Sequence, residues 1–269
     1  MENIEDFKEY LIAKNLSDKT IVLYIGWVKR FLKFLNGDEI TKKNISIFIK
    51  EIQKIYSPNT VRCGFRIIQQ FIKYKKCDFL NELSEIRLPS LEEYPRIVIK
   101  DDQYNKIQLL FDLKKWIDKR DSLIFEILFK TGLRSNEISN LSKSDILDNK
   151  IKVLGKGNKT RFIFIFSDLK KKLIDWDFEY FLVNKKGEKL SFKQLNTIVK
   201  KNGKKIDIEI SPHSLRRSFC TNLIKSGCNI KVIQKMMGHK SIITTSGYIF
   251  FDEEEMLDEF KKAFKNLDI

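Results

Sequence analysis

The sequence predicts a mainly α-helical chain with a small β-sheet, an α+β fold in two domains. Three observations predict it. Apolar residues recur at helical spacing along most of the chain, one glycine-punctuated segment (150–166) is β-rich, and a stretch holding two of the four prolines (86–100) has no helical period. At 269 residues the chain exceeds the usual size of one domain.

Residues 1–85 read as all helix. Phe7 and Leu11, then Ile21, Tyr24, Val28, Phe31, Leu32 and Leu35, fall at helical spacing. Ser17-Asp18 starts the second run, and Ser57-Pro58 supplies an N-cap with proline at the first helical position. Four such helices with Lys and Arg outside make a small bundle. Residues 86–100 are the expected linker. Beyond it, helices are expected over 101–115 and 119–131, the latter ending at Gly132. Runs 150–154 and 161–166 around Gly155-Lys-Gly-Asn158 read as a hairpin. Further helices are expected over 168–180, 191–203, 212–226, 229–237 and 253–266. Ser211-Pro212 starts the third of these, Gly227 closes it and Asn229 caps the next.

Composition narrows the function classes. The formal net charge is +15, from 51 Lys and Arg against 36 Asp and Glu, a field that attracts polyanions. A lysine-rich composition from an AT-rich genome is the bland alternative. No run reaches the roughly 18 apolar residues of a membrane span, so no membrane partner is expected. The acidic start MENIEDFKEYL lacks a signal peptide's pattern, and a cytoplasmic location is expected. Cys63, Cys77, Cys220 and Cys228 form no C-x-x-C pair and read as small buried hydrophobes.

The chain has two histidines, both in one C-terminal stretch: His213-Ser-Leu-Arg216 and Gly238-His239, with Tyr248 nine positions later. His213 and Arg216 share the first turn of a helix and point the same way. In TGLRSNE, Arg134 opens a helix whose N-terminus is already positive, which makes sense when an anion faces it; Glu137, one turn on, would hold the guanidinium. A surface ion pair is the commoner reading of that spacing. At the hairpin tip, Lys156, Lys159 and Arg161 would project cations into a groove, or form a solvated basic turn. A zinc site from His213, Cys220, Cys228 and His239 has no usual ligand spacing, and neither metal nor cofactor is expected.

These segments, in this order, resemble the catalytic pattern of the tyrosine recombinases, or phage integrase family: Arg, Lys, His-x-x-Arg, His or Trp, then Tyr. Arg134 matches the first arginine, Lys156 the hairpin lysine, His213 and Arg216 the His-x-x-Arg pair, His239 the Gly-His position and Tyr248 the nucleophile. Arg217 stands where many relatives carry another histidine. The resemblance covers about 101–269 by motif and 1–85 more weakly by helical layout, with length and wording closest to the Xer kind.

The resemblance implies a helical core-type DNA-binding domain over 1–85, a linker over 86–100, and a catalytic domain over 101–269 whose last helix docks on a neighbouring protomer, with packing on the core of its own subunit as the alternative. It implies cleavage of duplex DNA at a specific recombination site through a 3′-phosphotyrosyl intermediate, by a homo-tetramer or with a related recombinase. Arg134 and Arg216 would neutralise the phosphorane, His239 would donate to it, His213 would serve the phenol and Lys156 would protonate the leaving hydroxyl. DNA contacts are expected from Thr20, Asn59, Arg62 and Arg66, and from Lys159 and Arg161. A type IB topoisomerase-like relaxase and a non-catalytic DNA-binding regulator are the alternatives.

Overall fold

Apolar periodicity and capping residues account for most of the helices in the computed structural model, which describes residues 4–91, 97–155 and 159–238. The chain divides into two compact units, Met1–Pro95 and Arg96–Ile269.

In the first unit, α1 (Ile4–Ala13), α2 (Asp18–Leu35), α3 (Lys42–Gln53) and α4 (Pro58–Lys75) form the bundle, followed by a 3-10 segment, Asp78–Glu85. Ser17 caps α2 by accepting from the Thr20 amide, and Pro58 occupies the first turn of α4. The helical stripes meet as expected: Phe7, Leu11, Val28, Phe31, Ile45, Ile68 and Ile72 are fully buried. Phe7 meets Phe71 edge-on with ring centroids 5.0 Å apart. Leu83 in the 3-10 segment is fully buried, so the bundle's core extends past α4.

The second unit contains α5 (Asp101–Leu109), α6 (Trp116–Thr131), α7 (Ser135–Asn140), β1 (Lys150–Leu154), β2 (Thr160–Phe164), α8 (Ser167–Ile174), α9 (Phe192–Lys204), α10 (Pro212–Lys225) and α11 (Ile230–Met237). Among them α6 is buried most completely, with Ile124, Phe125, Ile127 and Leu128 all at 0% exposure. Its buried ion pair of Arg120 with Asp121 is satisfied on both sides. Arg120 donates to Asp121 at 2.6 and 2.8 Å and to the Val183 carbonyl at 3.1 Å, and Asn202 on α9 donates to the other carboxylate oxygen at 3.4 Å.

Two helices end earlier than periodicity suggests. The one expected over 101–115 stops at Leu109, because Asp112 accepts from the Lys114 amide at 3.1 Å and substitutes a local turn for the helical ladder. The one expected over 168–180 stops at Ile174. Trp176 is buried there and donates to the Tyr180 carbonyl at 3.0 Å, which bends the chain around its indole.

β1 and β2 pair antiparallel with Ile151 opposite Ile163 and Val153 opposite Arg161. This register turns Ile151, Val153, Arg161 and Ile163 inward, while Phe162 and Phe164 stay exposed on the other face. Among the described residues no helix is long and apolar enough to cross a membrane.

Helix α4 crosses α2 at Gly64, where an added Cβ would lie 2.8–2.9 Å from three ring carbons of Trp27. Gly64→Val is expected to lower the unfolding free energy by about 2–3 kcal/mol through overpacking. Urea titration of the full chain followed by circular dichroism measures it, and an unchanged midpoint would mean that the indole has room to move.

Candidate active site

The site is assembled at the end of α6, where the chain must turn sharply. Gly132 follows α6 with φ +60°, and a Cβ there would come within 2.5 Å of the Phe219 ring on α10. Glycine therefore serves both the left-handed backbone and the close helix contact. The turn buries Leu133 and delivers Arg134 to the N-cap position of α7.

Glu137 lies in the first turn of that helix and is the anion facing its positive end. Its carboxylate accepts the Arg134 amide at 2.8 Å and Arg134 Nη1 at 2.9 Å. From β2, Arg161 forks onto both oxygens, with Nη1 and Nη2 each at 2.8 Å. The Glu137 side chain is only 9% exposed, and so is that of Arg161. Burial by itself pushes the carboxyl up. Donation from Arg161 and then from the Arg134 amide outweighs it and brings the pKa down to about 2.

Three guanidiniums converge on the C-terminal end of α11. Arg161 Nε donates to the Met236 carbonyl at 2.7 Å, Arg216 Nη2 to the Met237 carbonyl at 2.8 Å, and Arg134 Nη2 to the Gly238 carbonyl at 3.2 Å. These carbonyls carry the partial negative charge of a helix end, so the placement is electrostatically sound. Arg216 also donates to the Gly132 carbonyl and thereby joins the end of α6 to the end of α11. It is 2% exposed, whereas the Arg134 side chain is 41% exposed and faces the open side. Three guanidiniums against one carboxylate leave the cluster positive, as an anion site requires.

His213 stands exposed on the first turn of α10, which Ser211 caps by accepting the Ser214 amide at 3.1 Å. Desolvation where the ring lies against the protein lowers its pKa below the ordinary imidazole value, and the charges of Arg217, Arg216 and Arg134 add to the effect. Cys220, one alternative zinc ligand, is buried with Phe219, Ile233 and Met237, and its thiol pKa is pushed up to about 11 by burial.

The sequence-derived residues thus fall into three groups. Arg134, Glu137, His213 and Arg216 come together, and Arg161 joins them. Lys156, His239 and Tyr248 lie outside the described residues, as does the expected helix 253–266. The chain reaches His239 directly from Gly238, and the hairpin carrying Lys156 is closed by Gly155, whose amide donates to Lys159 at 2.9 Å. In the first unit, Asn59 and Arg66 are exposed on α4 and Arg62 is half-buried between them. The Thr20 hydroxyl is shared with Ser17 at 2.8 Å in the cap of α2. Lys159 is exposed. Arg161, grouped by sequence with the DNA contacts, has its donors on Glu137 and Met236. What sequence reasoning missed was this inward arginine and the helix-end carbonyls that it helps to hold. The alternation in TRFIFIF sets Arg161 in phase with Ile163 and Ile165, but Phe162, Phe164 and Phe166 make the other face apolar too, so the pattern alone does not turn Arg161 inward.

A helical bundle followed by an α+β unit is a fold that solved structures share. A lambda integrase fragment (75–356), solved as a dimer bound to a COC′ core site, aligns with a TM-score of 0.76 at 18% identity, covering 93% of this chain and 96% of that one. The phage integrase family model matches residues 98–255, and the N-terminal SAM-like domain of phage integrases matches residues 4–82. The chain belongs to the phage integrase family. Among its relatives, a tyrosine recombinase XerA of Pyrococcus furiosus is 30% identical over 276 residues, covering 97% of this chain and 94% of the relative. The XerA of Thermococcus onnurineus is 29% identical over 275 residues, covering 97% and 95%.

The depressed Glu137 pKa has a measurable consequence. Because the folded value, about 2, lies below the ordinary value of 4.5, the carboxylate stabilises the fold above pH 4.5 and ceases to do so as pH falls toward 2. The gap corresponds to roughly 3 kcal/mol at neutral pH. Glu137→Gln is expected to melt well below wild type at pH 7, with the difference narrowing by pH 3. A difference in melting temperature independent of pH would show that the carboxylate is not held ionised by its neighbours.

Proposed function

We propose that the protein is a site-specific tyrosine recombinase of the Xer kind, which cleaves and rejoins duplex DNA through a 3′-phosphotyrosyl intermediate. The convergence of Arg134, Arg216 and His213 beside the α11 end that leads into His239 carries the reading. A phosphodiester resists nucleophiles because it is anionic, and its pentavalent transition state gathers more charge on the non-bridging oxygens. Arg134 and Arg216 meet that charge with planar donors fixed before DNA arrives.

The phenol oxygen of Tyr248 attacks phosphorus, and its proton passes to His213, which a lowered pKa keeps neutral and ready to accept it. The bond from phosphorus to the 5′ oxygen breaks, and Lys156 protonates the departing oxygen to leave a free 5′-hydroxyl. His239 donates to a phosphoryl oxygen. The phosphotyrosyl ester conserves the bond energy, so the 5′-hydroxyl of another strand can reverse the step without a nucleotide cofactor.

In this reading 1–85 is the core-type DNA-binding domain, with Thr20, Asn59, Arg62 and Arg66 toward DNA, 86–100 the linker and 101–269 the catalytic domain. Two structural neighbours, a Tn1549 transposon integrase in complex with transposon right end DNA and a XerH site-specific recombinase bound to its difH substrate, support duplex DNA as the partner. Assembly of four protomers on two sites, docking of helix 253–266 onto a neighbour and a cytoplasmic location belong to the same proposal.

A nicked suicide site tests it. Wild type is expected to accumulate a covalent protein–DNA adduct and Tyr248→Phe none, while Arg134→Ala and Arg216→Ala reduce adduct formation by at least about 100-fold. The rate should fall only below the ordinary imidazole value of about 6.5 as pH is lowered. An adduct with Tyr248→Phe would overturn the nucleophile assignment. Supercoil relaxation without strand exchange would favour the topoisomerase reading, and specific binding with no adduct the regulator.

A further inference from the structure

The arginine on β2 occupies a position that neither DNA contact nor simple packing explains. Arg161 faces inward in register with Val153, beside Ile151 and Ile163, on the face where a strand normally places apolar residues. Its neighbours Phe162 and Phe164 take the solvent face instead. An isolated guanidinium on a buried face is costly, so its partners define what it is for. Two of its nitrogens close a bidentate pair with Glu137, the carboxylate that also receives Arg134, and the third reaches the Met236 carbonyl. The aliphatic stem passes so close to Gly238 that an added Cβ there would sit 3.1 Å from Arg161 Cδ. Gly238 itself has φ +62°, a conformation in which a side chain would be strained.

We propose that Arg161 is a positioning residue for DNA cleavage, setting the Arg134 guanidinium through Glu137 and fixing the Gly238 backbone from which His239 departs. The inference rests on the recombinase reading above. A salt bridge serving only stability would tie β2 to α7 and end there. Here the same guanidinium also holds the end of α11, so the phosphate-facing arginine and the residue before His239 are referred to one rigid fork. Lysine cannot reproduce this, because an ammonium does not span two carboxylate oxygens and a helix-end carbonyl in one plane.

The test separates binding from chemistry in the full chain on a nicked suicide site. Arg161→Gln is expected to retain wild-type DNA affinity and the wild-type slope of affinity against salt. Its cleavage rate at saturating DNA is expected to fall by about 100-fold. Arg161→Lys should recover only part of that loss. The double variant Arg161→Gln/Glu137→Gln should cleave no more slowly than the worse single variant, since both act through one fork. If Arg161→Gln does not fold, Arg161→Lys carries the same comparison of affinity with rate.

The inference is overturned if Arg161→Gln lowers affinity and the salt slope by about one while cleaving normally at saturation, the signature of a phosphate contact. It is also overturned if Arg161→Lys cleaves at the wild-type rate, or if the two substitutions combine additively. A wild type that forms no adduct on any site overturns the recombinase reading and this inference with it. Adduct formation by wild type alongside normal cleavage by Arg161→Gln overturns the inference alone.

Discussion

Glu137 is a carboxylate withdrawn from water, and satisfying it dictates the positions of the groups around it. An ion buried at this depth costs several kcal/mol unless its oxygens are fully engaged. Four N–H donors meet it: the Arg134 amide, one nitrogen of the Arg134 side chain and two of Arg161. Each donor comes from a defined place, the start of α7 or the inward face of β2. The polar fork therefore helps to specify how the hairpin and the short helix meet. Such buried networks rigidify when every member is satisfied.

The same fork explains why three like charges can share a small volume. Arginines repel one another, yet Arg134, Arg161 and Arg216 each find a carbonyl at the end of α11, and the first two also share Glu137. The helix end supplies about half a negative charge, and the carboxylate a full one. The remaining positive charge is held in place before any ligand arrives. Preorganised charge of this kind costs no reorganisation during reaction, which is the usual source of large electrostatic rate effects.

Much of this was legible in the sequence, and what was not has a physical reason. Helix starts were legible at Ser17 and Ser211 because capping is local chemistry, and at Pro58 because proline suits a first turn, although the Ser57 side chain makes no capping hydrogen bond; Gly132 marked the end of α6 because a left-handed residue there is nearly obligatory. The stops at Leu109 and Ile174 were misjudged because a side-chain turn at Asp112 and a buried Trp176 override periodicity. Motif and spacing singled out Arg134, Glu137, His213 and Arg216, which the fold brings near one another. The role of Arg161 was not legible, since TRFIFIF is apolar on both faces and periodicity cannot say which face turns inward. Carbonyls of α11 leave no mark in sequence at all, because every residue has one.

That two-faced strand bears on how the hairpin finds its pairing. In most half-buried strands the hydrophobic pattern rejects a one-residue slip, since slipping would expose the core set. Here a slip would carry Phe162 and Phe164 inward and lose little apolar burial. It would instead strand Arg161 in solvent and leave Glu137 buried without its fork. The correct register is thus enforced by a charge that has one place to go, much as a single polar residue aligns two otherwise interchangeable coiled-coil helices.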